Sequence, residues 1–178
     1  VCSSDLAVMT KLGINRFALA GNSMGGWISG AFAAKYPEET SSVWFLAPAG
    51  MKASRKSEVI QLFEKTGKVM LTASNREEFE KIVDVVMFKR PAFAPGFVVD
   101  AMAERAANDQ PLHMRIYKDF KTIPSDLPEV IQASNYKGPA LIVWGKQDRV
   151  LHVDGAAELK AAMPMAEVIL MDETGHVP

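Results

Sequence analysis

Residues 16–22 (RFALAGN) form a short apolar run, and its end is already the start of Gly21-Asn22-Ser23-Met24-Gly25. The stretch that follows, 24–36, is rich in small residues: Gly25, Gly26, Gly30, Ala31, Ala33 and Ala34. A continuous apolar run without polar alternation predicts a strand buried on both faces of a parallel sheet. Glycine disfavours helix, so its frequency in the predicted helix implies that the helix backbone lies close to the strand. Ser23 then sits at a sharp turn between strand and helix. This unit constrains the chain more than any other feature, because strand–turn–helix units build α/β sheets.

The rest of the chain repeats the pattern with one interruption. Pro37 stops the first helix, 42–47 (SVWFLA) reads as the next strand, and Pro48-Ala49-Gly50 closes it. From about Met51 to Lys137 the spacing becomes helical. Phe79, Ile82, Val83, Val86 and Met87 recur on one helical face, and Asn75 with Glu78 resembles an N-terminal capping pair. Pro91 and Pro95 punctuate this block, and a helical pair is expected over 97–108 and 110–120. The buried-strand pattern returns at 139–145 (PALIVWG). An amphipathic helix over 153–163, with Ala156, Leu159 and Ala162 in its stripe, and a strand over 166–171 (AEVILM) follow. The fold class is therefore α/β, an open and mostly parallel sheet with a helical insertion.

Composition serves mainly to exclude. Twenty Lys+Arg against 21 Asp+Glu leave a net charge of -1, without the basic excess of a dedicated nucleic-acid binder. No apolar run reaches the ~18 residues of a transmembrane helix. The one cysteine, Cys2, allows no internal disulfide. It lies in Val1-Cys2-Ser3-Ser4-Asp5-Leu6, which resembles a translated sequencing-adapter scar, so residues 1–6 are left out of the fold reasoning.

Gly21-Asn22-Ser23-Met24-Gly25 fits G-x-S-x-G in the context that gives the motif meaning. A serine there is strained and pushed out at the sheet's end, and the helix N-terminus favours a developing negative charge. Gly21 and Gly25 are expected because a side chain at either would clash with the neighbouring strand or helix. Serine needs a base held by an acid. His113 falls in a predicted helix, and His152 follows a strand end as a loop or rim residue. His176, in Thr174-Gly175-His176 after the last strand, stands where catalytic groups collect. Asp148 follows the strand over 141–144 and is favoured as the acid, with an Asx turn as its structural alternative. Asp154 reads as a helix cap, and Asp172 and Glu173 lie close to His176 in sequence.

GNSMGG, PAG, WGKQDRV and ETGHVP, each at a strand end and in this order, resemble the α/β-hydrolase superfamily. Within it the chain is most similar to monoacylglycerol-lipase-like serine hydrolases and bacterial lipases and esterases. The resemblance runs from about Ala7 to Pro178. It implies Ser23 as nucleophile, Asp148 as acid, His176 as base and the Met24 backbone N–H as one oxyanion donor. It implies core segments over 7–50 and 138–178, and a helical cap over 51–137. It also implies hydrolysis of a small-molecule ester or lipid, with neither metal nor organic cofactor. The family's second oxyanion loop and closing helix have no counterpart in the sequence. A fold truncated at both ends is therefore expected, with an open edge at the nucleophile strand, and the polypeptide alone is expected to be inactive and poorly soluble.

Within 51–137, Phe63, Phe79, Phe88, Phe93, Phe97 and Phe120 with Met51, Met70, Met87, Met102 and Met114 read as the cap's own core or as an acyl pocket. Lys52, Arg55 and Lys56 read as a solvated face, with contact to anionic lipid head groups as the alternative. A carbon–carbon bond hydrolase of ring-cleavage products is the nearest rival, but Val177 stands where those relatives usually carry Trp. Ser23 argues against dehalogenases and epoxide hydrolases, which use Asp. A non-catalytic binding domain on the same fold is the remaining alternative.

Overall fold

The three apolar runs and the 40–46 segment become four parallel strands in the computed structural model, which describes residues 2–90, 93–122 and 126–178. Val1, Pro91 and the side chains of Cys2 and Phe120 lie outside the described residues. In chain order the elements are α1 (Cys2–Lys11), β1 (Phe17–Asn22), α2 (Met24–Lys35), β2 (Thr40–Leu46), α3 (Glu58–Thr66) and α4 (Arg76–Val86). Then come α5 (Gly96–Thr122), α6 (Leu127–Gln132), β3 (Ala140–Gly145), α7 (Gly155–Ala162) and β4 (Glu167–Met171).

The sheet order is β1-β2-β3-β4, all parallel. Crossovers between parallel strands are right-handed, so a sheet that grows in one direction carries its helices on one face. The contacts agree: α2 packs on β1 and β2, α7 on β3 and β4, and α6 bridges α2 and α7. The main core lies between these layers. Val43, Phe45, Ile142 and Trp144 point from the strands, and Ala33, Leu127, Ile131 and Leu159 meet them from the helices. Thus α6, although within 51–137, packs with the core helices.

The expectation that the 16–22 run is buried on both faces is corrected. Ala18 and Ala20 are exposed, because β1 is an edge strand and no described helix covers its second face. On that same face Trp44 of β2, the register partner of Ala20, is 45 % exposed. The open edge at β1 is as expected; β4 forms the other edge, and all five of its residues are exposed.

The helical pair expected over 97–108 and 110–120 is a single helix, α5, with Pro111 inside it. Pro111 is exposed, so water can serve the carbonyl that loses its intrahelical donor, and the helix continues. The apolar set divides. Met70 packs on a second small cluster and Met51 on the main core, whereas Phe88, Phe93, Phe97 and Met102 are exposed. That second cluster joins Val59 of α3, Val85 of α4 and Val150 from the loop after β3.

The capping pair forms with a variation. Asn75 accepts from the Glu78 N–H at 2.9 Å, but Glu78 reaches back to Ser74, accepting from its N–H at 2.9 Å and its hydroxyl at 2.7 Å.

Candidate active site

Ser23 stands between β1 and α2 with φ 54° and ψ -120°. An L-residue in this region is strained by about 1–3 kcal/mol unless its surroundings impose the conformation. They do so here through the backbone. Ser23 N–H donates to Leu46 O at 2.9 Å, and Ser23 O accepts from Ala49 N–H at 2.9 Å and Trp27 N–H at 3.2 Å. Ser23 holds the N-cap position of α2, yet its hydroxyl makes no capping hydrogen bond. A serine at an N-cap ordinarily uses its oxygen that way. Met24 opens the helix, so its N–H is among those without an intrahelical acceptor.

The glycine argument needs one correction. A Cβ on Gly21 would lie 2.2 Å from the carbonyl carbon and oxygen of Gly25, so Gly21 is required. A Cβ on Gly25 meets nothing within 4 Å. The second sterically required glycine is Gly26, where a Cβ would lie 2.7 Å from Pro48 Cβ. The close approach is therefore between the second residue of the helical glycine pair and the loop after β2.

Asn22 does more than shape the turn. Its side-chain amide donates to Leu46 O and to His176 O, each at 3.0 Å. The second bond draws the loop after β4 to the nucleophile turn. His176 is 5 % exposed, and its Nδ1 lies 2.8 Å from Asp148 Oδ2. A carboxylate is an acceptor, so Nδ1–H is the donor in this bond, and in the neutral ring that leaves the lone pair on Nε2.

The Asp148 side chain is fully buried, and four donors satisfy its carboxylate. Oδ1 accepts from Val150 N–H at 2.8 Å and Leu151 N–H at 2.9 Å. Oδ2 accepts from His176 and from the Trp144 indole N–H at 3.0 Å. The Asx-turn geometry weighed against a catalytic role thus coexists with the contact to His176 on the other oxygen. Trp144 joins the site beyond the residues that the sequence pattern points to. Its spacing of four from Asp148 at a strand end is the signal that could have identified it.

The remaining candidates separate from this cluster. His113 is exposed on α5. His152 accepts from Asp154 N–H at 3.2 Å. Asp154 occupies the N-cap of α7 but makes no side-chain cap, pairing with Arg55 instead. That pairing holds the Asp154 carboxyl below its ordinary range, through the hydrogen bond from Arg55 first. Lys56 pairs with Glu64, so two cations of the basic cluster already have carboxylate partners. A cavity of about 810 Å³ lies beside them, lined among others by Arg55, Glu58, Gln61, Lys65 and His152. It touches the outer side of Asp148, whereas Ser23 and His176 do not line it. Among the described residues no group of His, Cys, Asp and Glu converges as metal ligands do. Nor is any described helix long and apolar enough to cross a membrane.

Comparison with known proteins places this geometry in context. A family model described as alpha/beta hydrolase fold matches residues 4–178. Lipase 3 of Moraxella sp. (strain TA144) is 35 % identical over 160 residues, which cover 90 % of this chain and 50 % of that protein. Monoacylglycerol lipase ABHD6 of Homo sapiens is 29 % identical over 172 residues, covering 93 % and 51 %. The crystal structure of a membrane phospholipase A, described as a bacterial virulence factor, superposes with a TM-score of 0.92 at 29 % identity. That match covers 99 % of this chain and 56 % of the phospholipase. The chain thus spans about half the length of the curated relatives it matches.

Proposed function

Because this chain belongs to the α/β-hydrolase fold family, we propose that it carries the catalytic machinery of a carboxylic ester hydrolase acting on lipid-like esters. The observation that carries the reading is the buried His176–Asp148 hydrogen bond, tied through Asn22 to a strained serine whose hydroxyl makes no cap. The names of its relatives, two of them lipases and one a phospholipase, support the substrate class.

In this reading Ser23 Oγ attacks the ester carbonyl carbon while His176 Nε2 takes its proton. Asp148 keeps the imidazole in the required tautomer and stabilises the imidazolium that forms. The oxyanion develops beside Met24 N–H at the start of α2, where the helix dipole favours negative charge. Collapse expels the alcohol, which leaves with the proton held by His176. Water, deprotonated by His176, then cleaves the acyl-enzyme. The chemistry calls for neither a metal nor an organic cofactor. Within 51–137, α3, α4 and α5 serve as the cap over this site, while α6 belongs to the core.

Fluorophosphonate labelling of the intact protein tests the nucleophile. Labelling lost in Ser23→Ala supports the reading, and labelling retained in that variant refutes it. A panel of monoacylglycerols beside a ring-cleavage dienoate then separates an ester hydrolase from a carbon–carbon bond hydrolase.

A further inference from the structure

Two cap helices present their ends to the residues that hold the acid and the base. The last carbonyls of a helix have no intrahelical donor and need partners from elsewhere. In α4 two of them find those partners far along the chain. Asp84 O accepts from Arg149 Nη1 at 2.9 Å, and Val86 O accepts from His176 N–H at 2.8 Å. Arg149 directly follows the acid Asp148, and His176 is the base of the proposed triad. A cation at this end of the helix also meets the negative pole of its dipole.

The same loop grips the start of α3. Arg149 forms a bidentate pair with Glu58, Nε to Oε2 at 2.6 Å and Nη2 to Oε1 at 2.7 Å. Val59 N–H donates to Arg149 O at 3.2 Å, and the Ser57 hydroxyl donates to Val150 O at 2.6 Å. Beneath these bonds Val59, Val85 and Val150 form one buried apolar cluster. The approach at the base is equally close. A Cβ on Gly175 would lie 2.6 Å from Val86 O and 2.8 Å from Phe88 N.

We infer that Arg149 is a positioning residue that locks α3 and α4 to the acid loop, so that the seating of the cap sets how firmly His176 is held for catalysis. The inference rests on the Ser23–His176–Asp148 reading. It adds that the cap is mechanically part of the acid–base pair as well as a cover. Arg149 touches no reacting atom; it acts through the backbone of Asp148 and through α4, which carries the acceptor for His176 N–H.

The test uses Arg149→Met, Arg149→Lys and Glu58→Gln in the intact protein. Steady-state p-nitrophenyl butyrate kinetics are measured with the low-field proton resonance of His176 Nδ1–H and thermal unfolding. In Arg149→Met, kcat should fall about ten- to a hundred-fold, the range expected when a reacting group is misplaced. KM should stay within about two-fold, because substrate binding is not what is lost. The His176 resonance should broaden. Arg149→Lys keeps the charge without the planar fork and should recover part of the loss. If Arg149→Met does not fold, Glu58→Gln at the half-exposed end of the clamp carries the test, with kcat lowered about two- to five-fold. Unchanged kcat and a sharp His176 resonance in the folded variants overturn the inference, whatever happens to the melting temperature. Ser23→Ala is labelled with fluorophosphonate in parallel. Labelling lost there leaves the nucleophile reading intact even if the Arg149 result is negative, whereas labelling retained removes both.

Discussion

At the scale of single residues, the serine turn is held by backbone bonds, and the Ser23 hydroxyl is not used as a cap. Ser23 has positive φ and no capping bond because Leu46, Trp27 and Ala49 take up its backbone polar groups. The glycines around it divide sharply in their tolerance. Gly21→Ala and Gly26→Ala force a Cβ into backbone or proline atoms and should prevent folding or cost several kcal/mol, about the upper range of single substitutions. Gly25→Ala enters open space near the start of α2 and should be neutral or stabilising by up to about 1 kcal/mol. Chemical denaturation of the three variants measures this; equal destabilisation of all three would refute it. The places of Ser23, Asp148 and His176, the residues of the proposed triad, were legible because each follows a strand, and Asp148 and His176 do meet. Trp144 and Asn22 were less legible in their actual roles. Their bonds to Asp148 Oδ2 and His176 O depend on side-chain direction, which spacing alone does not set.

At the scale of elements, the contacts between α3 and the acid loop carry a pH dependence. Arg149 donates to Glu58 and holds its carboxyl below the ordinary glutamate value, against a smaller opposing effect of desolvation. A carboxyl lowered in the folded state stabilises the fold above its unfolded value and loses that contribution as pH falls through the folded one. The pair is about half exposed, so the gain is about 0.2–1 kcal/mol. Glu58→Gln should therefore lower the melting temperature at neutral pH, and the difference should close once the pH has fallen through the lowered folded-state value. A difference that persists there would show that the effect is not ionic. The elements themselves were mostly legible from periodicity. The division of 97–120 into two helices failed because Pro111 is a helix breaker in isolation but lies here on the solvent side of α5. The junction of α4 with the His176 loop was not legible at all. It joins residues 90 positions apart, Val86 to His176, through backbone groups common to every sequence.

At the scale of the whole molecule, a sheet wound in one direction has one face dressed by helices and one left more open. The more open face carries the exposed Ala18, Ala20, Trp44 and Ile169, with Ile169 48 % exposed at the β4 edge, while Val143 of β3 between them is buried. Exposed apolar sheet surface and open edges both favour association. The 178-residue polypeptide should therefore self-associate at micromolar concentration, and Trp44→Ser with Ile169→Thr should reduce it. Sedimentation velocity measures the change; a monodisperse parent would refute the prediction. The parallel sheet was legible in the apolar runs, but its one-sidedness was not. Strand order and crossover direction decide which face is covered, and the hydrophobic pattern of β1 and β4 looks the same on either side.

The strand order also divides the chain in time. β1, α2 and β2 are neighbours in sequence and form one unit; β3, α7 and β4 form another. The first holds Ser23, and the second holds Asp148 and His176. Between them β2 must find β3 across residues 47–139, the longest loop closure in the sheet, and such closures set folding rates more than they set stability. Ser23 and His176 therefore lie on opposite sides of that closure, and the proposed constellation is complete only once β2 and β3 have paired.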